Sequence, residues 1–150
     1  MQPTRALWRR GADLLAADAT TLAPAINANR VHLTMAPFTP NLDMALGDFT
    51  EATFDGYAAK DIGLGAQPIF YDVATGLLTI VLEDPAGGYV WATTGVTNLP
   101  QTIYGAYLTD DADAVLLGAM QLENPVTLQA SGEGLSFGEL SLAFQTDSPG

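Results

Sequence analysis

Three aspartates lie within four positions of the stretch TIYGAYLTDDADAVLLGAM (102–120), and clustered carboxylates of this kind have the ligand chemistry of a cation site. Calcium takes roughly six to eight oxygen ligands, and an EF-type loop needs a glycine at its sixth position and a glutamate at its twelfth. Counted from Asp110 the sixth residue is Val115, and counted from Asp111 it is Leu116, so neither frame fits. Aspartate side chains also hydrogen-bond the backbone of tight turns. The cluster therefore indicates the turn of a hairpin, with a cation site as the lesser alternative.

His32 could serve as a base or as a metal ligand, but it has no histidine or cysteine partner, because the chain has one histidine and no cysteine. The run RVHLTMA (30–36) alternates apolar and polar residues, which predicts a strand with His32 half-exposed on the face opposite the core. The candidate serine nucleophiles are Ser131, Ser136 and Ser141. None of them has the G-x-S-x-G setting of a nucleophile elbow, and His32 is the only base available to all three. A lone histidine without such neighbours favours a structural role.

Two further patterns fail as catalytic or cofactor sites. GLGAQP (63–68) begins like a dinucleotide-binding fingerprint, but Pro68 occupies the sixth position and no helical pattern follows it, so the stretch predicts a loop. The fifteen acidic residues after position 30 offer many carboxylate pairs for glycoside hydrolysis, and no pattern selects two of them. We therefore predict no catalytic residues, no cofactor and no metal ligands. A hydrolase with an unrecognised carboxylate pair stays as an alternative.

Arginines surround a tryptophan near the N-terminus, and this segment is the clearest candidate for a binding function. The candidate protein-interface residues are Arg5, Trp8, Arg9 and Arg10. Arginine pairs well with carboxylates, and arginine and tryptophan are both enriched where proteins meet. Three alternatives stay open for this segment: it packs on the chain's own body, it docks on another subunit or protein, or it is a disordered tail.

Residues 1–28 are predicted to form an N-terminal arm that is either helical or extended. Apolar residues recur at helical spacing between Thr4 and Ala19. Gly11 weakens this helix, and the arginines lie near its start, where the macrodipole disfavours positive charge. The isolated helix should therefore be marginal, and we expect it to be ordered mainly by whatever it docks on.

Residues 29–150 show the pattern of a β domain. The strand candidates cover residues 30–36, 54–62, 68–74, 77–83, 89–95, 102–110, 114–122, 125–131 and 135–146. Short turn signals rich in glycine, proline and aspartate separate many of them. Strands at this spacing are typical of an all-β fold, here an antiparallel β-sandwich or jelly-roll-like barrel of about eight strands.

Two details of these strands are specific enough to compare with a structure. In the last candidate (135–146) the apolar residues change parity across Gly138–Glu139, which predicts a β-bulge at that point. In the hairpin around the aspartate cluster, the expected buried face includes Ile103, Tyr107 and Leu116.

The net charge of −12 is distributed unevenly along the 150 residues. Residues 1–30 hold four arginines against two aspartates, which gives +2, and residues 31–150 hold one lysine against fifteen acids, which gives −14. An acidic body repels nucleic acid and anionic membranes, so neither is an expected partner. No apolar run approaches the roughly 20 residues of a membrane helix. Arginines also interrupt the segment that a signal peptide would need to keep apolar.

Two stretches together carry a resemblance to a known class of protein. LGDFTEATFDGYA (46–58) and TIYGAYLTD (102–110), the latter followed by LLGAMQLENPV (116–126), resemble small structural proteins of tailed-bacteriophage virions. The resemblance runs from about Asn29 to Phe144 and leaves the N-terminal arm outside it. It implies a non-enzymatic head decoration (cement) protein on the capsid surface of the virion. The implied partners are the major capsid protein and further copies of the chain in a homo-oligomer.

The resemblance rests on strand and turn residues and brings no catalytic residues with it. The matching positions, interpreted as fold-determining, are Phe54, Gly56, Tyr57, Ile103, Tyr104, Gly105 and Tyr107. The alternative function is a tail, fibre or adaptor module that binds a receptor or glycan through exposed aromatic residues. Its candidate residues are Tyr89, Trp91 and Tyr104, each of which also suits a strand core.

Overall fold

Antiparallel strands make up nearly all of the regular structure in the computed structural model of the chain. The structure describes residues 2–3, 30–62, 69–72, 74, 77–82, 88–110 and 112–145. The helix expected between Thr4 and Ala19, the loop expected at 63–68 and Asp111 lie outside these residues. So do the four candidate interface residues Arg5, Trp8, Arg9 and Arg10.

Ten strands are present in the described part of the chain, and eight of them contain three or more residues, so the prediction of an all-β fold with about eight strands is confirmed. Their bounds are β1 Gln2–Pro3, β2 Arg30–Thr34, β3 Lys60–Asp61, β4 Ile69–Asp72, β5 Leu77–Leu82, β6 Val90–Ala92, β7 Gln101–Thr109, β8 Leu116–Leu128, β9 Gly134–Ser136 and β10 Leu140–Gln145. One 3-10 turn, Leu46–Asp48, is the only helical element among these residues. No helix in the described ranges has the length and apolar character needed to span a membrane.

The strands form three antiparallel sheets that share one hydrophobic core. The largest sheet has the order β1-β8-β7-β2-β3, the second has the order β10-β5-β4, and β6 pairs with β9 in the third. Leu33 and Leu108 of the first sheet, Leu82 and Leu140 of the second and Trp91 of the third all belong to the same buried cluster. The sheets therefore pack in the layered manner of a β-sandwich.

The predicted hairpin around the aspartate cluster is confirmed by the antiparallel pairing of β7 with β8. The two strand candidates 114–122 and 125–131 are in fact one strand, β8. Tyr104 alone lies opposite the four β8 residues 122–125, which is a large irregularity in the ladder. Pro125 falls within it, and a proline, which has no backbone N–H, is tolerated in a sheet at such a bulge. The break between the two strand candidates therefore corresponds to an irregularity within one strand.

The predicted bulge at Gly138–Glu139 is wrong, because the segment 135–146 is not a single strand. Its first part belongs to β9, which pairs with β6, and its second part is β10, which pairs with β5 in a different sheet. Residues 137–139 are the connection between these two sheets. The change of parity in the sequence therefore reflects a change of sheet.

The candidate strand at 54–62 is mostly a turn. Only Lys60–Asp61 pairs as a strand, and it lies at the edge of the largest sheet beside β2. Gly56 has a φ of +88°, in the left-handed region that favours glycine. The Tyr57 amide closes the turn by donating to the Phe54 carbonyl at 2.9 Å.

The largest sheet is covered on both faces, which the sequence did not predict. One face contributes Ile103 to the main core. The other carries a second buried cluster, in which Tyr107 and Leu116 pack with Ala119 and Met44. Phe38, Leu46 and Phe49, which lie between the strand candidates 30–36 and 54–62, pack against this second cluster. The three predicted hairpin residues are therefore all buried, but they face two different clusters.

Candidate functional site

His32 lies in a closed polar site between β2, the hairpin tip and the segment that covers the second face. Val31 and Leu33 on either side of it belong to the main core, so His32 does point away from that core as predicted. Its exposed fraction is only 3%, however, so the half-exposed prediction is wrong. The imidazole stacks on the Tyr107 ring, with 4.8 Å between ring centroids and 13° between planes. Phe49 stacks on the same tyrosine at 4.6 Å.

Both ring nitrogens of His32 are hydrogen-bonded within the chain. Nδ1 lies 2.8 Å from Glu51 Oε1, and Nε2 lies 2.9 Å from Thr109 Oγ1 and 3.1 Å from Asp113 Oδ1. The Thr109 hydroxyl donates its own proton to Asp113 Oδ1 at 2.8 Å. Each ring nitrogen of His32 thus has at least one oxygen partner of the protein within hydrogen-bond distance.

Glu51 connects this network to the turn at Tyr57. The Tyr57 hydroxyl donates to Glu51 Oε1 at 2.9 Å and accepts from the Leu33 amide at 3.1 Å. Burial raises the pKa of Tyr57, so the phenol keeps its proton and remains a donor. One polar chain thus runs from Asp113 at the hairpin tip through His32 and Glu51 to Tyr57.

Arg30 adds a second connection between the same elements. Its Nη1 donates to Asp113 Oδ2 at 2.8 Å and its Nε donates to Asp61 Oδ1 at 2.9 Å. The guanidinium therefore joins the start of β2 to β3 and to the hairpin tip. The Arg30 side chain is 40% exposed, and ion pairs this open to water contribute little to stability. The role of Arg30 is to hold the orientation of the tip.

Asp110 forms the turn of the hairpin, as predicted. Its Oδ1 accepts from the Ala114 amide at 2.7 Å and from the Val115 amide at 3.0 Å. Asp113 has a φ of 54°, a left-handed conformation that aspartate tolerates in turns. Within the described residues no group of three or more histidine or acidic side chains is arranged to hold a metal ion.

Replacing Asp110 with alanine should lower the free energy of unfolding by about 1 kcal/mol, because two backbone amides at the tip lose their protein acceptor. Urea denaturation of the parent and the variant measures the change. Asp110→Asn is the matched control, because it keeps an oxygen acceptor and should lose less than half as much. Equal losses in the two variants would contradict the role assigned to this side chain.

Asp113 should make the protein sensitive to acid. Burial raises the pKa of its carboxyl, but hydrogen bonds from Thr109 and Arg30 and the charges of His32 and Arg30 outweigh burial and hold that pKa below its ordinary value. A carboxyl with a lower pKa in the folded state contributes stability above about pH 4, which is lost as the pH falls through the lowered pKa. We expect the free energy of unfolding to fall between pH 5 and pH 3.

Urea denaturation at pH 5 and pH 3 checks this expectation, with the Asp113→Asn variant as comparison. The difference in unfolding free energy between the two pH values should be smaller in this variant than in the parent. Arg30→Gln removes the Arg30 contact to Asp113 and leaves those of Thr109 and His32, so it should give an intermediate difference. The same difference in the parent and in Asp113→Asn would exclude this carboxyl as the source of the acid sensitivity.

The closed geometry limits what this acid–imidazole–acid arrangement can do chemically. Proton transfer to a substrate needs an open approach to a ring nitrogen, whereas the His32 nitrogens contact protein oxygens and the ring is stacked on Tyr107. The serines considered as nucleophiles are not among the hydrogen-bond partners of His32 given above. We therefore interpret the site as a structural hydrogen-bond network that connects chain segments.

The aromatic candidates for ligand binding are mostly in the core. The exposed fraction is 1% for Tyr89 and 2% for Trp91, whereas Tyr104 is half-buried. The sequence does not indicate the partners of His32, of which Asp113 is 81 positions away along the chain. An arginine two residues before the histidine in a strand candidate was the only hint of a polar cluster there.

Comparison of the chain with protein-family models, with curated proteins and with solved structures finds no match.

Proposed function

We propose that this chain is a non-enzymatic structural protein of a tailed-bacteriophage virion. In this proposal it decorates the capsid surface, where it binds and stabilises the lattice of the major capsid protein through protein–protein contacts. The support comes from the resemblance that runs from about Asn29 to Phe144. One structural observation accompanies it: six of the seven positions that carry the resemblance, all except Tyr104, are positions that build this fold.

The individual contacts of these positions illustrate that observation. Phe54 and Ile103 are buried in the main core. Tyr57 joins the Leu33 amide to Glu51. Tyr107 lies between the rings of His32 and Phe49.

The two glycines among these positions have backbone roles. Gly56 takes the left-handed conformation of its turn, and a side chain at Gly105 would collide with the Met120 carbonyl oxygen. A resemblance concentrated in such positions concerns the fold. A structural protein depends on its fold and needs no catalytic residues.

The His32 site favours a non-enzymatic role. The chain has one imidazole, and the protein's own oxygens contact both of its nitrogens. These contacts within the protein support a structural role for His32.

Capsid stabilisation would follow from linkage. A protein that binds the assembled lattice and not its free subunits stabilises the lattice by mass action, by about 2.7 kcal/mol per site at a concentration one hundred times Kd. This mechanism needs a rigid contact surface and no chemistry. The sheet covered on both faces and the hairpin tip held by the hydrogen-bond network at His32 fit that requirement.

The alternative, a tail or fibre module that stacks a glycan on aromatic rings, has less support. Two of its three candidate rings, Tyr89 and Trp91, are in the core and present no face to a ligand. Decoration is therefore the function that we propose.

Cosedimentation with expanded, undecorated heads of the phage tests the proposal. The purified chain should bind at a fixed ratio to the major capsid protein and raise the temperature at which the heads disassemble. Unexpanded heads of the same phage serve as the control for lattice specificity. Folded protein that stays in the supernatant at saturating concentration would contradict the proposal.

Removal of residues 1–20 tests the arm separately. The truncated chain should decorate the same heads with lower occupancy, because the arm supplies an additional contact. Unchanged occupancy would show that the candidate residues Arg5, Trp8, Arg9 and Arg10 are not part of the attachment.

A further inference from the structure

The outer edge of β8 is a backbone edge that pairs with a short extended segment. The inner edge of β8 pairs with β7. On the outer edge the described residues provide only β1, in which Gln2 lies opposite Ala119 and Pro3 lies opposite Gly118. The backbone of an edge strand is a template for a further strand, and short extended segments bind proteins in this way. The structure already shows such a segment in place.

The length of the chain does not require β1 to pair with its own β8. In the sheet order β1-β8-β7-β2, β1 and β2 are three strand spacings apart, which is about 14 Å. Twenty-six residues, 4–29, connect them. Fully extended, they reach on the order of 85 Å. A domain of this size has a radius of gyration of only about 15 Å, so the connection is long enough to cross to a neighbouring copy.

Charge favours a second copy of the chain as the source of the strand. β1 runs antiparallel to β8, and therefore toward the hairpin tip that carries Asp110 and Asp113. Three arginines follow Pro3 within seven positions. Two bodies (residues 29–150) of charge −13 repel each other, whereas the arm (residues 1–28) carries +1. The N-terminal arm is thus the part of one copy that is attracted to the body of another.

We propose that the outer edge of β8 is a docking site for the N-terminal strand Gln2–Pro3 of a second copy, so that protomers exchange this strand. The exchange replaces a pairing within one chain by the same pairing between chains, which makes it a route to oligomers with little loss of free energy. This inference deepens the proposed function, on which it rests, because it states how the decorating copies are joined.

Engineered disulfides test the exchange directly, because the chain has no cysteine of its own. A Gln2→Cys chain and an Ala119→Cys chain of different mass are refolded together and oxidised. A disulfide-linked species with one chain of each kind should be the main product on a non-reducing gel. In a chain that carries both substitutions, the disulfides should link different chains. Disulfides formed only within single chains of the double variant, with no mixed species, would overturn the proposal.

Gln2→Cys mixed with Thr127→Cys is the matched control. Thr127 lies opposite Thr102, five positions along β7 from Tyr107, the partner of Ala119, so the two β8 positions are about 17 Å apart. We expect less than a tenth of the cross-linked product from this pair. Equal yield in both mixtures would overturn the assigned register.

Ala119 is fully buried, so a cysteine at this position changes the core. A second test of the proposal leaves the core unchanged. Light scattering should show that the parent is an oligomer and that a chain without residues 1–3 dissociates at concentrations at least tenfold higher. A monomeric parent, or a truncated chain with the parental dissociation profile, would overturn the exchange. Both tests are carried out in solution without heads. Cross-linking between chains combined with failure to bind heads would therefore contradict the proposed function and leave the exchange intact.

Discussion

Replacing Gly105 with alanine should destabilise the protein by at least about 3 kcal/mol, at the upper end of overpacking effects, or prevent folding. Gly105 lies in β7 beside the irregular part of the ladder with β8. A Cβ atom there would collide with the carbonyl oxygen of Met120 on the neighbouring strand. It would also lie 2.9 Å from Cε1 of Phe38 and 3.1 Å from Cα of Gln121. Because two of these atoms are backbone, relief would require β7 and β8 to separate.

Urea denaturation followed by circular dichroism measures this effect. Gly47→Ala is the control, since nothing lies within 4 Å of a Cβ atom built at Gly47, and its unfolding free energy should change by no more than about 0.5 kcal/mol. A Gly105→Ala variant with parental stability would show that the close approach of the two strands is wrong.

Replacing Trp91 with alanine should lower the free energy of unfolding by about 3–5 kcal/mol. The side chain is 2% exposed and packs edge-to-face on Phe137, with 5.8 Å between ring centroids. Its Nε1–H donates to the Ala58 carbonyl at 2.8 Å, and Lys60 Nζ lies 5.7 Å from the ring centroid. Truncation would leave a cavity in the core shared by the three sheets and a carbonyl without its donor.

Trp91→Phe separates packing from hydrogen bonding. It keeps an aromatic ring in the cavity but loses the donor to Ala58, so we expect a loss smaller than half that of Trp91→Ala. The surface control is Val96→Ala, because Val96 is 70% exposed and its truncation should change the unfolding free energy by less than about 0.5 kcal/mol. A loss below about 1 kcal/mol for Trp91→Ala would contradict the core assignment of this residue.

The strands were predictable where alternation is regular. The runs that became β2 and β7 were identified because their apolar residues recur every second position. The division of 114–131 into two strands and the bulge assigned to Gly138–Glu139 were wrong for a common reason. Alternation is a local signal, and it does not show whether an interruption is a bend within one strand or a crossing between two sheets.

The His32 site was not predictable because it depends on what covers the sheet. The alternation in 30–36 assigns one face to the core, and His32 lies on the other. That other face is buried by Phe38 and Phe49, which come from a segment with no strand or helix periodicity. In the sequence, Asp113 is one of three clustered aspartates with no indicated partner. In the folded chain its carboxylate lies beside Arg30 and His32.

The hydrogen-bond network at His32 and the proposed pairing at the edge of β8 have complementary structural roles. The network of Glu51, His32 and Asp113 holds the hairpin tip to β2 within one copy. The edge of β8, from the same hairpin, is where we place the strand of the next copy. A rigid hairpin would then determine the geometry between neighbouring protomers.

The number and position of copies in the virion test the central claim most directly. Quantitative mass spectrometry of purified particles, with antibody labelling to locate the chain, gives both. If the chain decorates the capsid, we expect a copy number comparable to that of the major capsid protein, with label over the whole head. A few copies confined to the tail, or absence of the chain from purified particles, would contradict it.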